Sequence, residues 1–218
     1  CIRDRDYGRV SKVKNQGSEG YCWAFASVAS MESSILSQND LKSKLGENPQ
    51  DTIDLSEAGQ TWYIHSGIVD KSSPFYGDYI NDSSKGSNGG TSDTLAISLN
   101  SGFGTYPQSL CPYNEVKKGF SETLRYYSDY RLKDYSEISN NKDTLKSKIV
   151  SNGAVTVHYP SITDCYSSDY ANYYSDNTCI GIGDSHLIVV VGWDDNYSKD
   201  NFTGKVKPCL LYTSPSPR

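Results

Sequence analysis

Gln16-Gly17-Ser18-Glu19-Gly20-Tyr21-Cys22-Trp23-Ala24-Phe25 is the segment on which the reading of this chain turns. Within a few residues it passes from a polar, glycine-rich loop into an apolar periodic stretch. Ala24, Val28, Met31 and Ile35 stripe one face at helical spacing, so a helix begins at the cysteine. The first N–H groups of a helix lack partners within it and favour a negative charge. A thiol held there loses its proton more readily and becomes a nucleophile. Gln16, on the preceding loop, brings an amide that suits an oxyanion together with the Cys22 N–H. On residue chemistry alone, however, a helix-start Cys beside Trp23 and Phe25 is more often a small buried hydrophobe.

A thiolate needs a proton partner, and the chain has three histidines, His65, His158 and His186. His186 opens the apolar run His186-Leu-Ile-Val-Val-Val-Gly-Trp193 after a polar turn at Gly183–Ser185, which would fix its backbone while the ring reaches a cleft. His158 stands at the end of the alternating, β-branched Ala154–His158, and His65 at a helix end.

Further out, Asp54-Leu-Ser-Glu57 has the form of a capping box for a second helix that runs to about His65 and stops at Ser66-Gly67. Residues 66–93 read as a long surface loop. Thr91 or Ser92 caps a third helix carrying Leu95, Ala96 and Leu99 and ended by Gly102. A fourth spans about Lys142–Ser151 and ends at Gly153. Strands are expected at Ala154–His158 and His186–Trp193, the latter central, with a weaker one over Tyr126–Tyr135. Helices thus fill the first half and strands the second, the pattern of an α+β fold in two lobes with a cleft between them.

Composition narrows the function. The 218 residues are 36% hydrophobic, 22% charged and 12% aromatic, a globular profile with net charge −5. No dense Lys/Arg block argues for nucleic acid or an anionic membrane. The longest apolar run, Leu187–Val191, is far too short to span a bilayer. Six cysteines show no CxxC pair or nearby ligand histidine, so no metal site is expected. Cys165 and Cys179 flank a polar, Tyr-rich loop, where a disulfide and two free thiols are equally open. The last ten residues lack periodicity and resemble a translated sequencing adapter, so 208–218 is read as a non-native tail.

The segment Gln16–Phe25 resembles the signature of the papain-like cysteine peptidases, and the likeness extends along the chain. Val13-Lys-Asn-Gln-Gly17, Asp54-Leu-Ser-Glu57, Gly86-Ser-Asn-Gly-Gly90, Gly153-Ala-Val-Thr-Val157 and His186–Trp193 fall in that family's order, over roughly residues 7–205. Gly192-Trp-Asp-Asp-Asn-Tyr-Ser198 looks like the exported bacterial and archaeal branch. The resemblance implies a papain-like α+β fold with a helical N-terminal lobe and an antiparallel β-rich C-terminal lobe. It implies a cysteine endopeptidase with Cys22 as nucleophile, His186 as general acid and base, and Gln16 in the oxyanion hole. Gly89 and Gly90 would line the substrate cleft, and Ala154 would sit near the pocket for the second residue before the cut. Protein or peptide is the expected partner, with no cofactor, a monomeric state, and an extracellular or cell-surface location.

Several positions depart from the family pattern. Glu19 and Ser87 stand where the family has a disulfide pair, and Tyr21, before the nucleophile, is expected to narrow the cleft. The family's orienting Asn lies in an Asn-Ser-Trp-Gly context, which neither Asn196 nor Asn201 has, so no third catalytic residue is assigned. The peptidase domain is expected over 1–207, incomplete at its C-terminus. A Cys–His transpeptidase or amidase, and an inactive module that binds peptide or cell-wall polymer, are the alternatives.

Overall fold

The computed structural model describes residues 2–78, 89–162, 165–167, 172–173, 183–202 and 211–212. Helix α1, Cys22–Ser37, is its axis. No glycine or proline interrupts these residues, and burial extends beyond one stripe: Trp23, Ala24, Phe25, Val28, Glu32, Ser33, Ile35 and Leu36 are all buried. A helix covered on so many sides belongs to the interior rather than the surface. Short helices α2 (Asn39–Lys42) and α3 (Pro49–Thr52) turn the chain back toward α4, Glu57–His65. Helix α5, Ser92–Asn100, completes the helical lobe. Trp23, Ala24 and Ala26 of α1 pack with Ile64 of α4 and Leu95 of α5, while Val28, Ile35 and Leu36 pack with Ile53 and Leu55.

The second lobe carries α6, Lys142–Asn152, and short strand pairings. Strand β2, Val155–Ser161, runs antiparallel to β5, Asp184–Val190, with Tyr159 opposite His186 and His158 opposite Leu187. Strands β3 (Tyr166–Ser167) and β4 (Asn172–Tyr173) form a two-residue ladder. Strand β6, Gly192–Trp193, lies between β1, Ile2–Arg3, and β7, Leu211–Tyr212. Leu145 and Ile149 of α6 pack on Val190 and Trp193. Leu187 packs into the α1 cluster and so joins the lobes. No helix among the described residues is long and apolar enough to cross a membrane.

The helix punctuation follows the sequence closely. Thr91 Oγ1 accepts from Thr94 N–H and caps α5. Asn141 Oδ1 caps α6, and Gly153, with φ +92, ends it. Gly153 is also a close-approach site, since a Cβ there would come within 2.7 Å of Ser33 Oγ. Three expectations need correction. The cap of α4 is Ser56, whose Oγ accepts from Gly59 N–H at 2.9 Å, because the Asp54 carboxylate instead pairs with Lys14. Tyr126–Tyr135 forms no strand: a short helical turn at Glu122–Leu124 precedes it, and Thr105 ties the segment down through Tyr130. The apolar run from His186 is not one central strand. It breaks at Val191, whose carbonyl accepts from Asp4 N–H, and among the described residues β5 pairs only with β2. Leu211 and Tyr212, within the expected tail, pair with β6.

A buried charge cluster ties the first lobe together. Lys14 Nζ lies 2.9 Å from Glu32 of α1, 3.0 Å from Glu57 of α4 and 2.9 Å from Asp54, and donates to Leu55 O at 2.6 Å. Glu32 also accepts from Ser11 Oγ and from Leu55 N–H. Burial opposes the Lys14 charge, but Glu57 and Glu32 outweigh it and hold the ammonium above the usual lysine range. Burial pushes the Glu32 carboxyl up against the pull of Lys14, and raises Glu57 to about 7. One ammonium does not fully compensate two buried carboxylates.

Removing the ammonium should therefore be costly. Lys14→Met is expected to destabilise the chain by about 3–5 kcal/mol in urea unfolding at neutral pH, since it strands two buried carboxylates. The pH dependence has a defined sign. Between the ordinary value of 4.5 and about 7, the folded state holds the Glu57 proton that the unfolded chain has released. Stability therefore falls as pH rises through that window. The urea midpoint should be higher at pH 5 than at pH 7.5, and Glu57→Gln should remove much of that difference.

Candidate active site

Cys22 is the first residue of α1, half-buried, with a free thiol. Tyr21 at the cap position makes no side-chain capping bond; its carbonyl accepts from the Ala24 and Phe25 N–H groups, and those of Cys22 and Trp23 lie ahead of the helical ladder, where they favour an anion. The cysteine packs against the cluster of Trp23, Ala24, Ile64, Leu95 and Leu187. Leu187, which directly follows His186, belongs to the same cluster, so α1 and β5 meet at the interface between the lobes.

The loop before the cysteine is fixed at several points. Gly17, with φ +65, lets the chain turn, and its N–H donates to Asn15 Oδ1 at 2.8 Å. The Gln16 carbonyl accepts from Tyr113 Oη at 2.6 Å. Its Nε2 donates to Glu19 O at 3.0 Å, and its Oε1 is buried with no partner among the described residues. A half-buried amide anchored at both its backbone and its Nε2 is held in place beside the helix start. Glu19 meets Lys117 Nζ at 2.5 Å, so its carboxylate stands beside a compensating cation. Tyr21 does not narrow the cleft. Its ring is 3% exposed and packs with Phe25, Ala58 and Val116, edge-on to Tyr113.

The histidines separate by environment. His65 ends α4 and sets its ring edge-on to Trp23 at 5.8 Å. His158 is exposed, with Nε2 2.6 Å from Ser185 Oγ. His186 is half-buried, and its ring meets that of Tyr159 at 5.7 Å. Of the expected cleft residues, Gly89 has φ +100, and Gly90 runs directly over Trp23, where a Cβ would come within 2.6 Å of the indole. Ala154 is buried and pinned by its backbone: its N–H donates to Ser33 Oγ and its carbonyl accepts from Ser30 Oγ. It lies on a groove of about 630 Å³ between the lobes, lined also by Ser27, Leu95, Ala96, Val157 and His158.

Cys111 is the other free cysteine among the described residues. It is fully buried, which pushes its thiol up to about 11 and makes it a poor nucleophile. Cys165 is disulfide-bonded, while Cys179, its candidate partner, and Ser87 lie outside the described residues. The brace of Tyr113 on Gln16, the Lys117 partner of Glu19 and the packing of Gly90 on Trp23 carry no local sequence signal. Each joins residues far apart in the chain.

The chain matches the family model described as papain family cysteine protease over residues 2–206. It is 26% identical to mouse (Mus musculus) cathepsin S over 205 residues, covering 90% of this chain and 51% of that protein. Macrodontain-1 of Ananas macrodontes is 64% identical over a shorter stretch of 28 residues, 13% of each chain. This chain thus spans about half or less of the length of these curated relatives. Among solved structures, the cysteine protease and lectin-like domains of Cwp84, a surface layer associated protein of Clostridium difficile, align at TM-score 0.68 and 26% identity, over 96% of this chain and 42% of that one. Bromelain from Ananas comosus, in complex with the E64 inhibitor, aligns at TM-score 0.61 and 24% identity over 89% of this chain and 77% of that one.

The contact between Gly90 and the Trp23 ring gives a direct test of how closely this segment packs on α1. Trp23 is fully buried and cannot swing aside, so Gly90→Ala must displace the 89–90 backbone. The variant should lose about 1–3 kcal/mol in thermal unfolding. Gly67→Ala, whose Cβ would make only ordinary contacts, should be close to neutral.

Proposed function

The chain belongs to the papain family of cysteine proteases, and on that premise we propose that it is a cysteine endopeptidase in which Cys22 and His186 share the chemistry. The observation that carries the reading is the place of Cys22, a free, half-buried thiol at a helix start with no side-chain cap, in a chain that matches the family over residues 2–206. The Cys22 thiolate attacks the scissile carbonyl, and the developing oxyanion is met by the Cys22 N–H and the Gln16 amide. His186, as imidazolium, gives its proton to the leaving amine. The resulting thioester is cleaved by water that His186 deprotonates, which restores the thiol pair.

Substrate recognition follows from the same elements. An extended peptide passes Gly89 and Gly90, where the missing side chains leave the backbone open to pair with it. The groove at Ala154 takes a side chain on the amino-terminal side of the cut. The residues that carry this reaction lie within a single peptidase domain over 1–207, acting as a monomer on protein or peptide. An extracellular or cell-surface location is supported by the bonded Cys165 and by the likeness to a surface-layer protease.

Hydrolysis of an unfolded protein substrate tests the reading. Cys22→Ala and His186→Ala should each abolish measurable turnover while leaving the unfolding transition intact. Gln16→Ala should lower kcat by about 10²–10³. Undiminished hydrolysis by Cys22→Ala would refute the mechanism. Binding of peptide without turnover in the unmodified chain would favour an inactive binding module.

A further inference from the structure

The antiparallel register of β2 and β5 sets Tyr159 directly across from His186. Their rings meet at 5.7 Å with an interplanar angle of 61°. Tyr159 is itself held from the far side: the Tyr173 ring lies 5.0 Å from it at 69°. Tyr173 cannot drift, because its Oη donates to Pro160 O at 2.6 Å and accepts from Ile162 N–H. On the opposite face of the strand pair, His158 Nε2 meets Ser185 Oγ at 2.6 Å, pinning the residue before His186. The imidazole therefore meets a ring in a T-shaped contact, and that ring is backed by a second in the same way.

We propose that Tyr159, backed by Tyr173, is a positioning residue for His186 that also favours its protonated form. The inference rests on the reading of His186 as the proton shuttle. An aromatic face carries negative quadrupolar charge and attracts a cation within about 6 Å of its centre. A protonated imidazole gains from that field, whereas a neutral one gains little. The reaction requires an imidazolium when the amine leaves, so a wall that favours this form holds the shuttle ready to donate. Among the described residues, Asp184, two residues earlier, shares the His186 face of β5, as do Tyr159 across the register and Tyr173 behind it, and on the proposed reading the Cys22 thiol faces the ring. His158 lies on the other face.

The test separates the ring's electrostatics from its shape. Pentafluorophenylalanine at position 159 keeps the volume of the wall and reverses its quadrupole, Tyr159→Phe keeps both, and Tyr159→Leu removes the ring. Titration of the His186 imidazole in the full chain is followed by NMR of labelled histidine, with His65 and His158 as internal references. The Phe variant should titrate with the unmodified chain. The fluorinated and Leu variants should titrate lower by about half a pH unit, with the references unmoved. The same two variants should lose about threefold or more in kcat at little change in KM, and the alkaline limb of kcat/KM should move down by the same amount. An unmoved His186 titration in either the fluorinated or the Leu variant that keeps the unfolding transition of the unmodified chain overturns the inference. If His186→Ala also abolishes turnover, the proposed function survives that failure. Full turnover in His186→Ala would defeat the function itself.

Discussion

Lys14 is held among Glu32, Glu57 and Asp54, and the active site depends on where those contacts put the chain. Glu32 is on the central helix, Glu57 opens α4, and Lys14 lies two residues before Gln16. One ammonium thus fixes the loop that carries Gln16 to the helix that begins at Cys22. The arrangement is costly to break, because either carboxylate left alone in the interior would carry an uncompensated charge. It is also imperfectly neutralised, and burial raises both glutamates for that reason.

The second constraint is the seam between the lobes. Leu187 inserts into the cluster of Trp23, Ala24, Ile64 and Leu95, and that contact fastens β5 to α1. Each partner then has its own support. The loop of Gln16 is held by Tyr113, Glu19 stands beside Lys117, and the ring of His186 leans on Tyr159 and Tyr173. Gly90 is required because a Cβ there would run into the buried Trp23 ring.

What was legible in the sequence was local. The unbroken period from Cys22 to Ser37, the Thr91 cap and the glycines 102 and 153 are signals contained within one turn of chain, and the structure follows them. The misreadings have long-range causes. Asp54 looks like a cap until Lys14, 40 positions earlier, takes its carboxylate. The apolar run after His186 gives no sign of its break at Val191, because the cause is the N–H of Asp4 at the other end of the chain. Tyr126–Tyr135 has strand-like composition, but Tyr126 and Tyr135 are exposed and the segment lacks a strand partner among the described residues. The candidate site residues rest on the resemblance, whereas the contacts of Lys14, Tyr113, Lys117 and Tyr159 are visible only once the chain is folded.

On the proposed reading, one thiol in this chain is made a nucleophile by its place in the fold. Competitive labelling with substoichiometric iodoacetamide at pH 5.5, followed by peptide mapping, tests it most directly. Ordinary thiols, with an unperturbed value near 8.5, are almost fully protonated there and react slowly. The account predicts adduct on Cys22 and essentially none on Cys111, with the Cys22 adduct greatly reduced in His186→Ala. Labelling of Cys22 no faster than an unstructured thiol, or labelling that His186→Ala leaves unchanged, would contradict it.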